Sequence, residues 1–195
     1  MHFFCPEIWT EDPTPEAHKD CRECGLYEQG SRMIWGEGNP EAPVMFVLDN
    51  PGAREDREGS PIVCGTRQTL QTASHEAGLA SDQLYVTYIL KRRPIRAYDK
   101  PKTRAICMNH LLEQLQKQQP ALIVCFGNVA VQSFFRDPEL EVKALRGSWH
   151  EVNGYPTTVS YHPLAARRRP NLYPLLLEDL RLVADRLLSL SRHNG

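Results

Sequence analysis

Three features of this 195-residue chain predict an α/β fold, a three-layer α/β/α sandwich on a mostly parallel four-stranded sheet. The first is a set of short, almost wholly apolar runs at 44–48, 84–90 and 121–126, as expected of strands buried on both faces. The second is the helical periodicity between those runs. The third is a turn signal at Asn153-Gly154, followed by a long leucine-rich helix. Strands alternating with helices need a sheet covered on both sides.

Residues 1–43 show no sustained period and read as an irregular N-terminal segment of a single domain spanning 1–195. Cys21 and Cys24 form a C-x-x-C pair within it. Residues 44–48 (VMFVL) make the first strand, closed by Pro51-Gly52 and a charged loop, and a helix is expected around 67–79. Residues 84–90 are the second strand, followed by a basic loop. The pattern over 104–119 is an amphipathic helix with Ile106, Leu111, Leu112 and Leu115 on one side, ended by Pro120. Residues 121–126 (ALIVCF) form the third strand, stopped by Gly127-Asn128, and a short helix follows at 129–135. Strands at 149–152 and 156–160 flank Asn153-Gly154. The last helix, 172–191, carries Leu175, Leu176, Leu180, Leu182, Val183, Leu187 and Leu188.

Length and composition narrow the class. One domain of this size buries a sizeable core without staples. Six cysteines do not form a disulfide framework, and Cys5 and Cys64 read as free thiols. The acidic, Pro-rich start lacks the apolar region of a signal peptide, and no run of about 18 apolar residues exists. A reduced, cytoplasmic protein is expected. The net charge of −1 excludes a globally basic architectural DNA binder. Two local basic runs, Lys91-Arg92-Arg93 and Arg167-Arg168-Arg169, each follow a predicted strand and fit a polyanion partner.

Cys107 and Cys125 complete a set with Cys21 and Cys24. From Cys107 the helix climbs about 18 Å at ~1.5 Å per residue. The strand returns about 16 Å at ~3.3 Å per residue, to roughly the starting level. Four thiolates around one centre suit a [4Fe–4S] cluster or a four-cysteine zinc site.

In parallel sheets, ligands bind beyond the carboxyl ends of the strands. Three loops there carry chemistry: Asp49-Asn50-Pro51-Gly52, Lys91-Arg92-Arg93-Pro94 and Tyr161-His162-Pro163. The segments CRECGLYEQG, WGEGNPEAPVMFVLDNPGAREDREGSPIV, YVTYILKRRP, ALIVCFGNVA and RGSWHEVNGYPTTVSYHP together resemble the uracil-DNA glycosylase superfamily. They are most similar to its iron–sulfur branch, family 4. The Asn-Pro-Gly ending of the first motif looks like the mismatch-specific branches.

The resemblance implies a [4Fe–4S] cluster on Cys21, Cys24, Cys107 and Cys125. It also implies a monofunctional DNA glycosylase that flips a deaminated base out of DNA and hydrolyses its N-glycosidic bond. The protein would act as a nucleoid-associated monomer in base excision repair. Asn50 would orient the attacking water, His162 would stabilise the departing base, and Asp49 would support the cationic sugar. Gly52 would permit close backbone approach, and Arg92, Arg93, Arg167 and Arg168 would contact DNA phosphates. The family's aromatic stacking residue falls on Ile62 and its base-reading Asn on Tyr88. A phenol offers one hydroxyl where an amide offers a donor and an acceptor. Base choice is therefore expected to widen from uracil or shift toward a hypoxanthine-type base. The alternative is a non-catalytic DNA-binding relative that keeps the fold and cluster.

Overall fold

The computed structural model describes residues 4–56 and 65–193. Four parallel strands form the centre of the sheet: β3 (Val44–Leu48), β4 (Leu84–Tyr88), β5 (Leu122–Phe126) and β7 (Tyr155–Ser160). Their order is β4-β3-β5-β7, with β3 paired to both β4 and β5. Side chains alternate between faces, as the pleat requires. Val44, Phe46 and Leu48 point to one core, and Met45 and Val47 to the other.

The first core is covered by α1 (Thr66–Glu76), α5 (Pro163–Arg168) and α6 (Tyr173–His193). Phe46 and Phe126 meet edge-on within it, centroids 5.0 Å apart. The second core is covered by α2 (Lys100–Gln118), α3 (Gly127–Phe135) and α4 (Val142–Leu145). The three layers are thus those expected.

Among the described residues the sheet has seven strands rather than four, and it is mixed. β6 (His150–Val152) pairs antiparallel with β7 across Asn153 and Gly154, both at positive φ as a tight primed turn demands. The other two additions come from the segment expected to be irregular. β2 (Gly36–Gly38) lies antiparallel on β4, and β1 (Glu11–Asp12) lies on β2. An uncovered β4 would leave a row of unpaired backbone groups, which this segment satisfies. Only glycine fits at position 36: a Cβ there would collide with the Tyr85 hydroxyl and lie 2.7 Å from the Val86 carbonyl oxygen. Tyr85 in turn donates to Asp12 at 2.7 Å, fastening β1 across β2.

Helix α2 starts four residues before the expected 104. Asp99 caps it by accepting from the Lys102 amide at 3.2 Å, with Pro101 in the first turn. Backbone bonding runs past β4, with the Ile89 and Leu90 amides donating to the Leu48 and Asp49 carbonyls at 2.9 Å each. The loops carrying Asp49 and Lys91 are thereby registered against each other at the carboxyl edge of the sheet.

Candidate active site

Asp49 and Asn50 follow β3 directly, and His162 follows β7 and caps α5. The Leu164 amide donates to His162 Nδ1 at 3.1 Å. That nitrogen must therefore be unprotonated, which leaves the proton of the neutral ring on Nε2. Nε2 donates to Asp49 Oδ1 at 3.1 Å, and the Asn50 amide donates to the same oxygen at 2.8 Å. Burial alone would raise the Asp49 carboxyl. The hydrogen bonds from His162 Nε2 and the Asn50 backbone amide outweigh it and hold Asp49 below its ordinary value as an anion. Gly127, at φ +85, lets β5 pass close behind His162, since a Cβ there would stand 3.1 Å from the histidine Cβ. Asn50 Nδ2 donates to the Pro51 carbonyl at 2.8 Å, which leaves Oδ1 as an acceptor without a partner among the described residues.

These three side chains line one pocket with Gly52 and Tyr88. Its floor holds an ionic set that the sequence reading missed. Arg67, on the first turn of α1, pairs with Glu37 of β2 and lies 3.1 Å from Glu55. Tyr88 lines the same pocket wall as Arg67 and is 2% exposed. Burial pushes the Glu37 carboxyl up to about 7 although Arg67 pulls the other way. Gly52 serves this set: a Cβ there would stand 2.5 Å from a Glu55 carboxylate oxygen, so the glycine makes room for Glu55. The Tyr88 phenol is thus buried in the pocket wall, with Arg67 lining the same pocket. The one sequence signal was the charge isolated in Gly36-Glu37-Gly38.

The other addition is Trp9. Residues before β1 are tied to α1 by a two-way bond: the Glu7 amide donates to Gln71 at 2.9 Å, and Gln71 donates to the Glu7 carbonyl at 2.8 Å. This strap brings the Trp9 indole to the pocket, its Nε1 buried with no hydrogen-bond partner among the described residues. No periodicity marks Trp9. Ile62 lies outside the described residues.

The four arginines expected to meet DNA divide. Arg167 and Arg168 are exposed at the end of α5, six residues or fewer from His162, and Arg167 lies against the Gly65 backbone. Arg93 is partly exposed, 4.0 Å from Asp56. Arg92 instead turns inward, donating to the carbonyls of Ser31 and Lys19.

The cysteines depart from expectation. Cys24 and Cys107 sulfurs lie 3.8 Å apart and share a small cluster with Leu26 and Leu90. Cys21 faces His110 Nε2 at 3.3 Å. Cys125 is fully buried in the second core, among Met108, Leu111 and Val159. The helix–strand return restores the level of Cys107 but not its lateral position. β5 is two strands from β4, roughly 10 Å at ~4.8 Å per strand. A four-cysteine centre including Cys125 does not fit this arrangement. Among the described residues, no three His, Cys, Asp or Glu side chains already converge on one point.

Residues 35–181 match the family described as the Uracil DNA glycosylase superfamily. This chain belongs to that superfamily. It is 31% identical over 173 residues to the type-4 uracil-DNA glycosylase of Archaeoglobus fulgidus, covering 85% of this chain and 87% of that one. It is 30% identical over 185 residues to the type-4 uracil-DNA glycosylase of Sulfurisphaera tokodaii, covering 89% and 83%. With the type-4 uracil-DNA glycosylase of Thermotoga maritima it shares 29% over 171 residues, 85% and 88% of the two chains. The superfamily match spans every element of the pocket except Trp9, which precedes it.

Proposed function

We propose that this chain is a monofunctional DNA glycosylase that extrudes a deaminated base, uracil or a hypoxanthine-type base, and hydrolyses its N-glycosidic bond. The observation that carries this reading is the Asp49–His162 pair at the carboxyl ends of β3 and β7, with the Asn50 carboxamide beside it. In the transition state the sugar becomes cationic and the base leaves as an anion. The C1′–N bond breaks with its electron pair on the base. His162 Nε2–H, oriented by the Leu164 amide on Nδ1, turns from Asp49 to the base oxygen where that charge collects. Asp49, released from His162, faces the cationic sugar. Asn50 Oδ1 accepts from the water that adds its hydroxyl to C1′, and the water's other proton neutralises the base. An abasic site remains.

Lys91, the lysine of the loop after β4, is buried away from the pocket and not placed to form a Schiff base. No step moves an electron, so none passes through the cysteine corner. The strand is intact after the reaction, and the enzyme acts as a monomer on DNA.

One observation favours the alternative of a DNA-binding relative without catalysis: Arg67 and Tyr88 fill the floor where a base edge would be read. Single-turnover excision of uracil, hypoxanthine and xanthine from single- and double-stranded oligonucleotides separates the two. We expect release of at least one base by the wild type. Asn50→Ala and His162→Ala should each lower that rate by roughly 10²–10³, with DNA affinity nearly unchanged. Binding without release of any of these bases would establish the non-catalytic reading.

A further inference from the structure

A base edge with a carbonyl oxygen beside a ring N–H calls for one donor and one acceptor side by side, and the Tyr88 phenol has only one hydroxyl. Two other residues of the pocket supply both. Glu37 lies opposite Val86 in the β2–β4 pairing, so it shares the sheet face of Val86 and Tyr88. The backbone beside it is pressed onto β4: a Cβ at position 38, where φ is +100, would stand 2.6 Å from the Leu84 carbonyl oxygen. Arg67 reaches the same pocket from the first turn of α1. Its Nη2 pairs with Glu37 Oε2, and its Nε lies 3.1 Å from Glu55 Oε1. A guanidinium carries several N–H groups and a carboxylate accepts at both oxygens, so the pair keeps donors and an acceptor beyond these contacts. The Glu37 side chain is 3% exposed and that of Arg67 18%. Ions buried to this degree are a weak source of stability, because desolvation offsets their attraction. Burial takes the Glu37 carboxyl up to about 7 against the pull of Arg67, with Glu55 and Glu11 pushing the same way as burial. An N–H donated to this carboxylate would lower it again.

We infer that Arg67 and Glu37 read the extruded base as a unit, the guanidinium donating to a ring carbonyl oxygen and the carboxylate accepting the adjacent ring N–H. Uracil and hypoxanthine present that edge. Cytosine and adenine present an amino group beside an unprotonated ring nitrogen, which sets donor against donor and lone pair against lone pair. Thymine and guanine carry the same edge as uracil and hypoxanthine, so this pair does not exclude them. The inference rests on the glycosylase reading and names the residues that choose its base.

The test is single-turnover excision from oligonucleotides carrying uracil or hypoxanthine, beside the same bases methylated on that nitrogen, 3-methyluracil and 1-methylhypoxanthine. The wild type should release the parent base about a hundredfold or more faster than its methylated form. Glu37→Ala removes the acceptor and opens space, and should bring the two rates within about threefold of each other. Arg67→Lys keeps a cation beside Glu37 without the planar fork. It should slow release of the parent base about tenfold or more, with affinity for undamaged DNA unchanged. If Glu37→Ala does not fold, Glu37→Gln keeps the shape and offers an amide N–H to the ring nitrogen of cytosine, so discrimination of uracil against cytosine should fall about tenfold or more. A purely structural ion pair would slow parent and methylated base alike and leave their ratio unchanged, which would overturn the assignment. Equal release of the two by the wild type would overturn it as well. Release of no base at all by the wild type would instead remove the glycosylase reading, and this assignment with it.

Discussion

Lys91 heads a basic run in the sequence, yet only 1% of it is exposed. Its ammonium donates to Thr87 and Gln114 and to the Trp35 carbonyl at 3.4 Å, with the Trp35 ring 5.2 Å away. Burial lowers it from the usual 10.5 to about 7. Between those values the unfolded chain carries the proton and the folded chain does not. Stability from this residue therefore rises with pH from about 7 and levels off near 10.5. Urea midpoints of wild type and Lys91→Met, measured across that window, should show the wild type gaining on the variant. A constant difference would mean that Lys91 keeps its charge throughout. The sequence showed Lys91 only as part of a basic run fitting a polyanion, because two of the acceptors that bury it, Trp35 and Gln114, are distant in sequence.

At the scale of elements, α5 joins chemistry to binding. It is six residues long, capped by His162, and ends in exposed Arg167 and Arg168. Neutralising both should weaken DNA binding about equally for all sequences. It should also lower the slope of log affinity against log salt by about 1–2, at ~0.9 per phosphate contact. Arg92→Ala should leave the slope unchanged and reduce stability instead, because its guanidinium donates to backbone carbonyls. Fluorescence anisotropy over a salt series distinguishes the two. Equal slopes for wild type and the double variant would return Arg167 and Arg168 to ordinary solvated surface. In sequence the two basic runs look alike. They differ because one lies against the N-terminal segment and the other ends a helix at the pocket rim.

At the scale of the whole molecule, the N-terminal segment completes both the sheet and the pocket. β1 and β2 extend the sheet beyond β4, and the strap before them delivers Trp9. Under the glycosylase reading, its ring stands beside an extruded base. Base–aromatic contacts contribute about 1–3 kcal/mol. Trp9→Ala should therefore lower single-turnover excision about tenfold or more, with affinity for undamaged DNA unchanged. Trp9→Phe should recover most of the rate if the ring matters more than the indole N–H. An unaltered rate in Trp9→Ala would confine the residue to packing against Gly38 and the first core.

The chain by itself determined the layered architecture, because runs such as 44–48 and 121–126 are apolar at every position and must be covered on both faces. It also placed Asp49, Asn50 and His162 at one end of the sheet, where they line one pocket, since each follows a strand of its parallel centre and such strands end on one side. Tertiary structure alone decided the rest. Glu37, Arg67 and Trp9 reach the pocket through edge pairing and a hydrogen-bonded strap, which leave no local period. Cys125 was separated from Cys107 by strand order: distance along the helix and strand could be counted in residues, whereas the sideways step across the sheet depends on which strands pair.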